Sequence, residues 1–66
     1  MMTREEAFAE RRKIRKVVKN WRAKDPWHDA VRDRYDDLFD YLFCVNCMDK
    51  DPGPWEIPPV PEGVEP

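Results

Sequence analysis

At 66 residues with 39% charged side chains and a formal charge of −2, this chain has room for one small core. A domain of this size buries only about 60% of the surface its unfolded chain exposes, which leaves little volume for an enclosed catalytic pocket. No apolar run approaches the roughly 20 residues of a membrane span, and no basic stretch followed by an apolar one opens the chain as a secretion signal does, so a cytoplasmic protein without membrane contact is expected.

The small net charge conceals a segregation. Residues 1–24 carry +6, residues 25–51 carry −5, and residues 52–66 carry −3. Asymmetry of this kind points to interaction surfaces.

Thr3-Arg4-Glu5-Glu6 has the pattern of a capping box and should open a first helix. Glu5, Glu6 and Glu10 then lie near the positive end of its dipole, with Lys19, Arg22 and Lys24 near the negative end. Ile14, Val17, Val18 and Trp21 recur at helical spacing, with Ala7 on the same stripe and Phe8 off it. Asp25-Pro26 closes this helix and starts another, because Pro disfavours helical backbone in the residue before it and suits the first helical position. Val31, Tyr35, Leu38, Leu42 and Val45 form the second stripe, joined by Trp27 and Tyr41 and widened by Phe39 and Phe43. The expected seam sets Ile14, Val18 and Trp21 against Val31, Tyr35, Leu38 and Leu42.

Six prolines and two glycines beyond Asp51 exclude helix and central strand from the C-terminal segment. The fold class that follows is all-α. It is an antiparallel two-helix hairpin (residues 1–51, helices about 4–23 and 26–47) with a Pro-rich extended tail (residues 52–66) partly packed back on it. Trp55 should dock on Phe39 or Phe43, with disorder from about Glu62. Pro58-Pro-Val-Pro61 also fits the spacing of a polyproline ligand, although a rigid strap over the core is the more ordinary role.

Two charged faces are the candidate binding surfaces. Arg11, Arg12, Arg15, Lys16, Lys19 and Arg22 lie opposite the first apolar stripe and could meet phosphates or an acidic protein. Asp29, Asp33, Asp36, Asp37 and Asp40 fall within about 100° of one another on the second helix. Aspartate is a poor interior helix residue, so five of them sacrifice helix propensity, and a binding role accounts for that better than solubility does. The ordinary alternative for each face is a solvated surface, with Arg32 and Arg34 partnering the aspartates. A helix-turn-helix reader of DNA is disfavoured because its second helix would be acidic.

Cys44-Val-Asn-Cys47 offers half of a zinc site, but the other ligands are missing and only His28 remains as a further donor. Placed at a helix C-terminus beside Asp49 and Asp51, these thiols lack the electropositive setting of a redox pair and read as buried apolar groups. His28 stands apart from any nucleophile and reads as a surface residue. No metal or other cofactor is called for, and nothing here forms a catalytic constellation.

The functional expectation is a small non-enzymatic regulator or inhibitor that docks on a larger protein, such as a host enzyme complex. Small stand-alone chains of this character fit bacterial or phage regulators of host machinery, transcription included. The acidic face is the favoured contact surface. The alternatives are nucleic-acid binding by the basic face and a structural subunit that self-associates; oligomeric state is not set by the sequence.

Overall fold

The computed structural model describes residues 2–43 and 52–66. Two helices, α1 (Arg4–Val17) and α2 (Pro26–Phe43), pack against each other as an antiparallel hairpin. Cys44, Val45 and Cys47, expected at the end of the second helix, lie outside the described residues.

The capping box forms as the sequence predicts. Thr3 Oγ accepts from the Glu6 backbone N–H at 3.1 Å, and Glu6 Oε1 accepts from the Thr3 N–H at 3.0 Å. α1 is six residues shorter than the expected 4–23. Two β-branched residues, Val17 and Val18, and then Asn20 are weaker helix formers than the Arg and Lys before them. Val18 adopts extended backbone, and Asn20 Oδ1 takes the Arg22 N–H at 3.2 Å. The Lys19 and Asn20 N–H groups turn instead to the main-chain oxygen of Pro66, at 2.6 and 2.9 Å. Tail docking thus replaces the last turn of helix. Trp21 consequently leaves the seam, 38% exposed, with its ring 5.0 Å from that of Tyr35.

Arg32 holds the link between the helices, donating to the carbonyls of Trp21 and Ala23 at 2.9 and 2.5 Å. Asp25 caps α2 by accepting from the His28 N–H at 3.0 Å. The core comprises Ala7, Ile14 and Val18 from the first half and Trp27, Val31, Leu38 and Leu42 from α2. Burying each large aliphatic side chain stabilises by about 1.5–3 kcal/mol, so these few residues supply most of the driving force.

The tail has neither helix nor strand, and it straps one side of the hairpin from Pro52 to Pro66. The Trp27 indole N–H donates to the Pro58 carbonyl at 2.8 Å. A turn closes from the Val64 N–H to Pro61 O at 3.1 Å, with Gly63 at a φ of +84° that suits glycine. The expectations for this segment are corrected in two respects. Trp55 packs on the core from beside Arg34, whose guanidinium lies 5.5 Å from its ring, and not on Phe39 or Phe43. Nor does order end near Glu62, because Pro66 is held by hydrogen bonds from the linker.

Candidate docking face

On α2, Arg34 sits three residues after Val31 and four before Leu38, so helical spacing points it into the packed side. It is buried, and four of the five N–H groups of its guanidinium have acceptors. Nε donates to Glu10 Oε2 at 2.6 Å and Nη2 to Glu10 Oε1 at 3.2 Å. Nη1 and Nη2 also reach the carbonyls of Pro52 and Gly53, at 2.9 and 2.7 Å. One side chain therefore joins α1, α2 and the start of the tail. The sequence reading, which gave Arg34 to the acidic face, is corrected here. The signal was present: Glu10 falls between Ala7 and Ile14 at the same spacings.

His28 is likewise buried, 1% exposed, and is not the surface residue expected. Its Nδ1 lies 2.6 Å from Asp25 Oδ2, and its Nε2 lies 3.1 Å from the Pro66 main-chain oxygen. The Asp25 carboxyl is held below its ordinary range, first by the His28 backbone N–H and then by the His28 ring, against an opposing effect of burial. An Asp-His pair normally suggests acid-base chemistry. Here it secures the tail, because one ring nitrogen is engaged by Asp25 and the other by the Pro66 main-chain oxygen. A cleft of about 480 Å³ between α1 and the tail, lined by residues including Glu10, Trp55 and Ile57, belongs to the same strapped side.

Among the described residues, the tail does not cover the opposite side of the hairpin. Phe39 lies about 140° round α2 from Arg34, at 100° per residue, and so faces away from the strap. Phe39 and Phe43 are 49% and 50% exposed, with ring centroids 4.8 Å apart. Phe8, which no apolar stripe explained, meets Phe43 edge-on at 6.0 Å. Arg11 bends over this cluster, its guanidinium 4.5 Å from the Tyr35 ring and 5.4 and 5.9 Å from those of Phe39 and Phe43. Farther along, Arg15, Trp21, Arg32, Tyr35 and Asp36 line a cavity of about 370 Å³. The result is an aromatic groove with Arg11 and Arg15 on the α1 rim and Arg32 and Asp36 on the α2 rim.

The two charged faces are distributed accordingly. Asp33, Asp36, Asp37 and Asp40 are exposed and make no hydrogen bond or ion pair among the described residues. Asp29 is paired with Arg32. On the basic side, Arg12, Arg15 and Lys16 remain exposed on α1. Arg11 is half-buried over the rings, and its Nε has no hydrogen-bond acceptor. Lys19 and Arg22 are exposed too but lie beyond the end of α1, so the helical part of the expected six-residue face is three outward groups and one stacked arginine.

Among the described residues, no cluster of three or more His, Cys, Asp and Glu is placed to hold a metal ion, and no helix is long and apolar enough to cross a membrane. No protein-family model matches the chain, and neither a curated protein nor a solved structure matches it.

Proposed function

We propose that this chain is a non-enzymatic protein-binding module, of the kind that regulates or inhibits a larger protein by docking on it, with α2 as its principal contact. The observation that carries the reading is the one-sided strap. The tail covers one groove of the hairpin, while the other leaves Phe39 and Phe43 half exposed beside unpaired carboxylates. An apolar aromatic centre with a charged rim is the anatomy of a protein interface. Asp33, Asp36, Asp37 and Asp40 would steer a basic partner and fix its register. Phosphates fit this face less well, since the α2 rim repels them and Arg11 is already stacked.

Affinity capture from the native host at low and high salt tests the reading. Capture of a protein that weakens with salt and is lost in Phe39→Ser, with Asp33→Asn/Asp37→Asn reducing it, supports docking through α2. Nucleic acid in the eluate, lost on Arg12→Gln/Arg15→Gln and indifferent to Phe39→Ser, would move the basic face of α1 ahead.

A further inference from the structure

The open groove is flanked by opposite charges. Its α1 rim carries Arg15 and its α2 rim carries Asp36, both exposed, beside Arg32, whose charge is paired with Asp29. Arg15 and Asp36 line one cavity, and Arg11, a turn of α1 earlier, spans the rings of Tyr35, Phe39 and Phe43.

An occupant complementary to this face needs an apolar centre with acidic groups opposite the α1 rim and basic groups opposite the α2 rim. The face itself meets that description when turned about a two-fold axis. Two axes lying in the interface are available for a second copy. An axis perpendicular to the groove sets α1 on α1 and α2 on α2, so arginines meet arginines and aspartates meet aspartates. An axis running along the groove sets α1 of each copy on α2 of the other without changing height along the helices. Arg15 then faces Asp36, twice over by symmetry.

We infer that two copies of this chain associate through the open groove about a two-fold axis parallel to the helices. The inference rests on the protein-docking reading of this face and names its occupant. Phe39 and Phe43 of both copies close on one another and lose their exposure to water, and the arginine and aspartate rims exchange partners between copies. Among the described residues, the strap lies on the far side of each hairpin from the contact. Asp33, Asp37 and Asp40 lie farther round α2 and remain outward, so the dimer presents two acidic ridges to any larger partner.

The test uses the full chain in sedimentation equilibrium, with circular dichroism to establish that each variant is folded. The native chain should show a concentration-dependent dimer, and Phe39→Ser should be monomeric. Arg15→Glu makes both rims acidic, and Asp36→Arg makes both basic. Each of these variants alone should be monomeric, because like rims meet. An equimolar mixture should recover a heterodimer, because both rim pairs again carry opposite charges. A native chain that stays monomeric up to about 1 mM, where only contacts worth less than about 4 kcal/mol escape detection, would overturn the inference. So would folded variants that fail to associate on mixing. In either case a loss of host-protein capture by Phe39→Ser would leave the docking reading standing, which separates the two failures.

Discussion

Arg34 and Glu10 form a two-pronged ion pair between the helices, with N···O distances of 2.6 and 3.2 Å and both side chains largely shielded from water. Two further donors of the same guanidinium hold the carbonyls of Pro52 and Gly53. A buried charge is costly unless it is paired and hydrogen-bonded, and here Glu10 supplies the opposite charge and four of the five N–H groups have acceptors. Removing Arg34 strands the Glu10 carboxylate and releases the tail together. Arg34→Ala should destabilise by about 3–5 kcal/mol, comparable with the whole stability of so small a domain. The double variant Glu10→Met/Arg34→Met should be appreciably more stable than Arg34→Ala, because no charge is left unpaired. Urea unfolding of both proteins checks the order, and a double variant as weak as the single one would remove the ion pair from the account.

Leu38 is fully buried at the centre of the seam. Leu38→Ala should cost about 2–5 kcal/mol, from lost transfer free energy and the cavity left behind. Circular dichroism melts should show a largely unfolded chain at room temperature. A cooperative melt at the native midpoint would place Leu38 outside the core.

The strap makes its own contribution. Deleting residues 52–66 removes the acceptor for the Trp27 indole N–H, two acceptors for Arg34 and the oxygen that holds the Lys19 and Asn20 N–H groups. A lower melting midpoint is the expected outcome, with tryptophan emission red-shifted relative to a full-length Trp55→Phe control. Emission and midpoint equal to those of that control would show that Trp27 does not depend on the tail.

Asp25 introduces a dependence on acid. Its carboxyl is held below the ordinary value of 3.8, chiefly by the His28 backbone N–H. A depressed carboxylate favours the folded state only while ionised. Its stabilisation is therefore complete above the ordinary value and is lost as pH falls through the lowered one. Between roughly pH 5 and pH 2 the native chain should lose stability faster than Asp25→Asn, which keeps a capping side chain without the charge. Parallel slopes of melting midpoint against pH would exclude Asp25 as a contributor.

Much of the hairpin was legible in the amino-acid sequence because the signals are local. A capping box at Thr3 and Glu6, a break at Asp25-Pro26, and apolar stripes through Ile14 and Leu38 each act within one or two turns. The chain alone also determined the segregation of charge and the exclusion of helix from the Pro-rich segment. What only the tertiary structure decided depends on partners distant in sequence. Glu10 and Arg34 are 24 residues apart, and His28 and Pro66 are 38 apart. Read singly, an arginine and a histidine are polar groups to be placed at the surface. Their burial becomes favourable only when a second charge or a carbonyl arrives from another segment to replace water. The same holds for the end of α1 and for Trp21: the tail takes the N–H groups of Lys19 and Asn20, and the helix stops there. Which groove the strap fills, and so which aromatic face stays open, follows from where Arg34 and Trp27 present their donors to it.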